Sequence, residues 1–335
     1  MINKKILAIS VTSLTLIGGG FGYIYATQSA TSNGDINTSK AIKGAGWNPT
    51  VKLSYTSNSV IMEPNGIPDH ERDAYYAVPI AGVVVPDATT ATIVKDPTKA
   101  QTYKFTIPTN PEYTAEVTST SLGSIGVMIS GAVLYNPFEG DGKTVAMANN
   151  FTITDSSGRS ASFVDKCAGH PTPQQGAYHY HGLSGCTTAK VDDLGEASHI
   201  IGFALDGFPI YGDRDINGKQ LTYKNLDQCN GINSATPEFP EGIYHYVLLP
   251  TNDVHSSISC FHGKVDENQM QPMPAMGDGQ TMQDLTSAAK ALHVSEAALK
   301  DALGASNRPD ISAAAKKLGV TEQDLIDALG APPKN

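Results

Sequence analysis

Short segments of alternating or fully apolar residues, separated by turns, run from Trp47 to about Lys264. Clear examples lie at 51–55, 103–107, 126–129, 151–154 and 244–249. Turn dipeptides such as Asn65-Gly66 and Asn217-Gly218 separate such segments, and long helical periodicity is nearly absent here. The pattern predicts a mainly β fold, with a single β-rich domain of short strands over residues 46–265.

The pattern changes beyond this domain. Residues 266–283 form a linker that contains Met and Pro, and a repeat with a period of 26 residues follows within 284–331. AKALHVSEAALKDALG (289–304) aligns with AKKLGVTEQDLIDALG (315–330). Ser295 and Thr321 are predicted N-caps, and Gly304 and Gly330 are predicted helix ends. The repeat predicts a small all-α module of tandem helix–turn–helix units.

The first 26 residues read as a targeting segment. Lys4 and Lys5 precede an apolar run over residues 6–26, a pattern typical of a signal peptide or an uncleaved membrane anchor. Residues 27–45, rich in Ser, Thr, Gly and Asn, are predicted to form a flexible spacer. We therefore expect a secreted or otherwise extracytoplasmic protein, with membrane attachment through the N-terminal segment as the alternative.

Charge and motifs argue against several functions. The net charge of −10 over 335 residues, with no basic patch, argues against a nucleic-acid partner. The chain has no GxSxG, HExxH, Walker A or strand-linked GxGxxG motif, so it matches none of those enzyme classes. For the C-terminal repeats, a contact surface for a protein partner or a spacer is favoured over DNA binding.

The four cysteines of an exported chain are expected to form disulfides. Cys167, Cys186, Cys229 and Cys260 allow three disulfide pairings, and disulfides are the usual state outside the cytosol. Pairing Cys167 with Cys186 and Cys229 with Cys260 closes the shortest loops and is favoured. The first loop would enclose the most distinctive histidines of the chain.

Those histidines lie in GAYHYHGLSGC (176–186). Because strand side chains alternate between faces, His179 and His181 share one face and Tyr178 and Tyr180 share the other. A second segment, GIYHYV from Gly242, aligns with the first and offers His245. If the two strands are neighbours or face each other, three imidazoles converge, as a catalytic or transport metal site requires. The alternative is a hydrogen-bonded core without metal.

Other residues are candidates for the same site. His170 lies in the first cysteine loop, and His70 follows Asp69, which is a further candidate ligand or a partner that orients the His70 ring. Asp206, in an apolar segment, is expected to be paired near the site because a buried lone carboxylate is costly. Tyr178, Tyr180 and Tyr244 are expected to pack in the core with bonded hydroxyls around the metal ligands.

The residue types do not fix the metal. Imidazole suits zinc, copper, iron and nickel alike. Met270, Met273, Met276 and Met282 in the linker favour copper, because thioethers are soft ligands, although such a linker can also be plain disordered sequence. A copper or zinc ion is thus favoured. Its affinity is expected to fall as the pH drops through about 6.5, the ordinary imidazole pKa.

The ordered motifs CAGHP, GAYHYHG, DGFPIYG, LDQCNG and SCFHG resemble the YHYH domain family of exported proteins. NGIPDH and IGVMISGAVLYNP resemble its opening and middle, so the resemblance covers about residues 50–265. It implies export but no particular activity, because the family has no established general biochemical role. The resemblance also implies a more complete Tyr-His-Tyr-His motif in the strand that contains His245. In this chain Val247 takes the place of the last histidine of that motif.

Three classes of function remain. The favoured one is an extracytoplasmic metal-binding protein with a carrier or surface-binding role. The second is a metal-dependent hydrolase or oxidoreductase, in which the ion activates water or changes its redox state. The third is a structural cell-surface module without metal.

Overall fold

The computed structural model describes residues 36–80, 83–269, 288–303, 311–321, 324–325 and 328. The first strands are β1 (Lys52–Tyr55), β2 (Ser59–Glu63), β3 (Tyr75–Pro79), β4 (Ala91–Lys95), β5 (Phe105–Pro108), β6 (Thr118–Ser119), β7 (Ser124–Met128), β8 (Val133–Tyr135) and β9 (Thr152–Thr154). They are followed by β10 (Ser160–Ser162), β11 (Gly169–Pro171), β12 (Tyr178–Tyr180), β13 (Ile200–Ala204), β14 (Pro209–Tyr211), β15 (Gly231–Ser234), β16 (Ile243–Val247) and β17 (Cys260–Phe261).

In the part of the chain that the structure covers, four short helices are described from end to end. They are α1 (Ser39–Gly44), α2 (Gly185–Thr188), α3 (Glu296–Leu303) and α4 (Ile311–Leu318), with 3-10 turns at Tyr223–Asn225, Val254–Ser256 and Glu267–Gln269. The predicted mainly β fold is confirmed.

An eight-stranded sheet forms the centre of the domain, in the order β11-β12-β8-β7-β13-β14-β16-β15. The pairs β8–β12 and β14–β16 are parallel, and the other pairs are antiparallel. Every residue of β7, β13 and β16 is buried, so both faces of these strands pack inside the protein. The sheet therefore lies inside the core.

Smaller sheets cover this centre. One contains β1, β2 and β5, and three two-stranded sheets pair β3 with β4, β9 with β10, and β6 with β17. In β2 the period-two pattern places Val60 and Met62 in the core and leaves the intervening side chains partly exposed.

Both predicted disulfides are confirmed. Cys167 is bonded to Cys186 and Cys229 to Cys260. The first bond links the turn before β11 to α2, and so ties together the two ends of the segment that contains β11 and β12. A loop of this size is worth about 3 kcal/mol of stability in the chain-entropy model.

The predicted spacer over 27–45 is wrong for its described part. Residues 39–44 form α1, and Ile42 is fully buried in the core. The Trp47 indole donates a hydrogen bond to the Ile42 carbonyl and stacks on Phe203. Ile42 and the partly buried Ile36, Ala41 and Ala45 dock this segment against the core, and Thr38 donates hydrogen bonds to the Thr109 carbonyl, although the composition is polar overall.

The C-terminal repeats form helices with a small core of their own. Residues 288–291 and 324–325 are helical beside α3 and α4, and the shared core consists of Ala288, Ala289, Leu292, Leu299, Ala314, Ala315 and Leu325. Ser295 and Thr321 accept hydrogen bonds from the amides of Ala298 and Asp324, as predicted for N-caps. The predicted helix ends Gly304 and Gly330 lie outside the described residues.

Two further predictions concern segments that are described in part or not at all. Residues 1–35 and the linker methionines Met270, Met273, Met276 and Met282 lie outside the described residues. At the start of the linker, the Gln269 side chain donates a hydrogen bond to the carbonyl of Thr106 in β5. Within the described ranges, no helix has the length and apolar character needed to cross a bilayer.

Candidate metal centre

Three histidine side chains meet at the outer edge of the central sheet. His170 on β11 lies directly opposite His179 on β12, and His181 follows at the end of β12. Opposed residues of an antiparallel pair share one face, and the alternation along β12 adds His181 to that face. The prediction that His179 and His181 share one strand face is therefore confirmed. His170 is the third histidine on that face.

The three rings are close together and buried. Their centroids are 4.4 Å apart for His170 and His179, 4.9 Å for His179 and His181, and 5.3 Å for His170 and His181. One ring nitrogen from each lies within 4.8 Å of the others. Their exposed fractions are 6%, 2% and 3%, so water does not solvate these nitrogens appreciably.

The Nδ1 atoms of His179 and His181 show where the proton of each neutral ring lies. His179 Nδ1 is 3.0 Å from the Ala177 carbonyl oxygen, and His181 Nδ1 is 2.8 Å from that of Asn136. A carbonyl only accepts, so each Nδ1 must carry the proton in the neutral ring. Each Nε2 then presents a lone pair. Backbone carbonyls orient metal-bound histidines in the same way.

The Nε2 atoms of His179 and His181 face one another. Nε2 of His179 and Nε2 of His181 are 3.1 Å apart, which brings two lone pairs together unless a cation lies between them. Neither ring nitrogen of His170 has a hydrogen-bond partner among the described residues. Two nitrogens bound to one tetrahedral zinc at about 2.0–2.1 Å are about 3.3 Å apart. The spacing therefore fits a shared metal ion.

Burial keeps the rings neutral. It lowers the pKa of His170 and of His179 well below the ordinary value, and the neighbouring histidines lower both further. Burial also lowers the pKa of His181, to about 4. For a metal ion bound to these rings, the lowered pKa values predict that competition by protons begins below pH 6.5.

Aromatic rings form the walls of the site. Tyr135 stacks on His179 with centroids 3.9 Å apart, and Phe163 lies 4.2 Å from His170. The thioether sulfur of Met147 is 3.5 Å from the position that a Cβ would take on Gly182, the residue after His181. The three histidine rings thus sit in a largely apolar setting.

The opposite face of β12 carries the tyrosines. The Tyr178 hydroxyl donates to Asp165, and the Tyr180 hydroxyl contacts the Ser130 hydroxyl at 2.9 Å. Asp165 also accepts from the Tyr76 hydroxyl and from the amides of Cys167 and Gly169. These hydrogen bonds fix β12 through the face opposite its histidines. Sequence reasoning missed Asp165, although the recurrence of Asp-x-Cys-x-Gly at 165–169 and 227–231 was a visible signal.

His70 and Asp69 lie on this tyrosine face and not with the three histidines. His70 Nε2 is 2.6 Å from the Tyr180 hydroxyl, and its Nδ1 is 3.0 Å from the Glu71 carbonyl. Both ring nitrogens are therefore engaged. Asp69 is paired with Lys190 and does not orient the His70 ring. The prediction that these two residues join the metal site is wrong for this structure.

His245 is also not part of the cluster. It lies on β16, and four strands separate β16 from β12 in the sheet. Its Nδ1 bonds the Ile243 carbonyl, and its ring contacts Tyr211. The predicted convergence with His179 and His181 is wrong because the two similar segments occupy equivalent places in two halves of the sheet.

Asp206 and Tyr244 belong to that second half. The fully buried Asp206 accepts from the Tyr246 hydroxyl and the Gly263 amide, and burial raises its pKa to about 6. The Tyr244 hydroxyl donates to Asp227. Both residues are paired as predicted, but far from the three histidines.

A separate polar group was missed by sequence reasoning. His199 Nδ1 is 2.8 Å from Glu238, which also accepts from the Tyr211 hydroxyl. His199 and Glu238 line a cavity of about 600 Å³ beside α1. No motif marks this pair, because its members are far apart in the chain and meet only through folding.

The segment after β8 supplies a pH-dependent prediction. Burial raises the pKa of Glu139 to about 8, and its Oε1 has no hydrogen-bond partner among the described residues. The ordinary pKa is 4.5. Between these values the folded state holds a proton that the unfolded chain lacks, so stability falls as pH rises, by up to about 1.4 kcal/mol per unit.

Glu139→Gln keeps the neutral shape and removes this dependence. We expect the variant to match the parent at pH 4 and to exceed its free energy of unfolding by about 4 kcal/mol at pH 8. Urea denaturation at both pH values measures the difference. Glu112→Gln, at an exposed position paired with Lys264, is the control and should show no such trend. Equal curves for Glu139→Gln and its parent at pH 8 would contradict the buried neutral carboxyl.

The fold and the cluster define a class: a disulfide-linked, mainly β protein with a buried trihistidine group at a sheet edge. The sequence profile of the YHYH protein family matches residues 104–220 and 214–263. Residues 104–263 thus match the YHYH family, and this matched region includes all three histidines. No curated protein and no solved structure matches significantly.

Proposed function

We propose that this protein is an extracytoplasmic metal-binding protein that holds one transition-metal ion between His170, His179 and His181. The observation that carries the proposal is the pair of inward-facing Nε2 atoms, 3.1 Å apart, whose Nδ1 atoms bond backbone carbonyls. A proton between the rings is disfavoured by burial, which lowers both pKa values. A metal ion relieves the opposition of lone pairs without adding a proton.

Copper and zinc are the favoured ions. Imidazole nitrogen suits both, and the buried apolar surroundings strengthen any bond to a cation. When bound, such an ion supplies Lewis acidity or a redox couple.

The burial supports a holding role more than a catalytic one. Each of the three rings is at most 6% exposed, so a bound ion would have little surface open to a large substrate. A closed site exchanges its ion slowly and suits a carrier or a surface-binding protein. The two disulfides support an oxidising compartment, in agreement with an exported chain.

Metal analysis of the full chain tests this proposal. Protein purified without chelator is analysed by elemental mass spectrometry, and chelator-treated protein is titrated with Zn(II) and with Cu(I) under anaerobic conditions. We expect one tightly bound ion per chain. A chain that holds less than a tenth of an equivalent after titration and dialysis would overturn the proposal and favour a structural module.

A further inference from the structure

The central sheet consists of two halves with the same architecture. Outward from the middle, one half runs β7-β8-β12-β11 and the other β13-β14-β16-β15. In each half the first pair is antiparallel, the second is parallel and the third is antiparallel. The strands of each half also follow the same order along the chain. The domain is thus an internally duplicated unit.

Local sequence repeats in the two halves. IGVMISGAVLY (125–135) aligns without a gap with IGFALDGFPIY (201–211). The aligned turn glycines, Gly131 and Gly207, have φ of 95° and 92°, a conformation that side chains rarely adopt. The two aligned segments thus turn at the same position with the same glycine conformation.

The framework behind each histidine strand is also repeated. Tyr178 donates to Asp165 at 2.9 Å, and Tyr244 donates to Asp227 at 2.9 Å. Asp165 and Asp227 each accept from the amide of a disulfide-bonded cysteine. The residues after those cysteines have φ of 62° and 63°.

Register and hydrogen bonds identify the equivalent positions. His170 pairs with His179, and Ile232 pairs with His245. The amide of His181 donates to Ala168 at 3.0 Å, and the amide of Val247 donates to Asn230 at 2.8 Å. Ile232 and Val247 therefore occupy the places of His170 and His181.

His245 keeps the geometry of a ligand. Its Nδ1 lies 2.9 Å from the carbonyl two residues earlier, as that of His179 does at 3.0 Å. Tyr211 lies beside it, as the aligned Tyr135 lies beside His179. Its Nε2 is thus left as the acceptor.

We propose that the second half of the sheet holds a dormant metal site, in which His245 is the one remaining ligand and Ile232 and Val247 replace the other two. Completed by two imidazoles, it would take the same class of ion as the first half, copper or zinc. The assignment of that ion rests on the proposed function, whereas the equivalence of positions rests on the fold alone.

The test is to rebuild the site in the full chain. Ile232→His/Val247→His is saturated with Zn(II), dialysed and analysed for metal beside the parent. We expect two ions per chain for the variant and one for the parent. A folded variant with no more metal than its parent would overturn the inference. A parent without metal beside a variant with one ion would contradict the proposed function and support the inference.

A second variant covers the case in which the fully buried Val247 does not tolerate replacement. Ile232→His alone changes a half-buried position and places an imidazole opposite His245. We expect a second, weaker Zn(II) site, seen by titration, that disappears in Ile232→His/His245→Ala. If Ile232→His adds no site, or if the added site survives loss of His245, the equivalence does not extend to metal binding.

Discussion

Replacing His179 and His181 by Ala is expected to abolish stoichiometric metal binding. Loss of a single group that only orients a ligand lowers metal affinity about 10- to 100-fold, so loss of two of three ligands should lower it by more than about 100-fold. The fold should persist, because the disulfides and the tyrosine face of β12 do not depend on these rings. Titration calorimetry measures the affinity.

His245→Ala is the matched control for this experiment. His245 is equally buried, is bonded in the same way and lies on the equivalent strand of the other half. It should bind metal like the parent and show the same rise in melting temperature on metal addition, which follows from binding to the folded state alone. If the double variant keeps the parent's affinity, or if His245→Ala loses it, the three-histidine site is wrong.

Replacing Asp165 by Ala is expected to lower the free energy of unfolding by about 4 kcal/mol. The buried carboxylate accepts from the hydroxyls of Tyr76 and Tyr178, at 2.7 and 2.9 Å, and from two backbone amides. Each buried donor left without a partner costs about 1–3 kcal/mol, and this sum exceeds the usual effect of one substitution. Urea denaturation in the presence of chelator measures it without any contribution from metal.

Asp227→Ala provides the comparison. Asp227 accepts from Tyr244 and from two amides, but its side chain is 31% exposed, so water can replace part of what is lost. We expect a loss of about 2 kcal/mol. A loss below about 1 kcal/mol for Asp165→Ala, or a larger loss for Asp227→Ala, would show that the tyrosine face does not hold the histidine strand.

Local patterns predicted much of this structure. Alternation along 178–181 assigned the tyrosines and histidines to opposite faces, because side-chain direction in a strand depends only on neighbouring residues. The shortest cysteine loops predicted the disulfides. Ser295 and Thr321 were recognisable as N-caps, because a cap is made within one turn of its helix.

Long-range placement could not be predicted in the same way. The resemblance between 176–181 and 242–247 was interpreted as possible contact, whereas the structure shows that it reflects equivalence in two half-sheets. Similar sequence indicates similar local structure and carries no information about distance. The place of His170 opposite His179 depends on strand register, which the turn between β11 and β12 sets.

The described part of residues 27–45 shows that composition alone does not predict whether a segment is ordered. Its composition is that of a spacer, yet α1 docks through Ile42, with Trp47 alongside. A few well-packed side chains can order a segment that is polar overall, and composition averages over that detail.

X-ray absorption at the metal K edge tests the central claim most directly. The full chain, loaded with one equivalent of Zn(II) or Cu(I), should show about three nitrogen ligands at about 2.0–2.1 Å, with the outer scattering typical of imidazole rings. The same spectrum should be unchanged in His245→Ala and absent in His179→Ala/His181→Ala. A first shell of oxygen atoms without imidazole scattering would contradict a metal ion held by His170, His179 and His181.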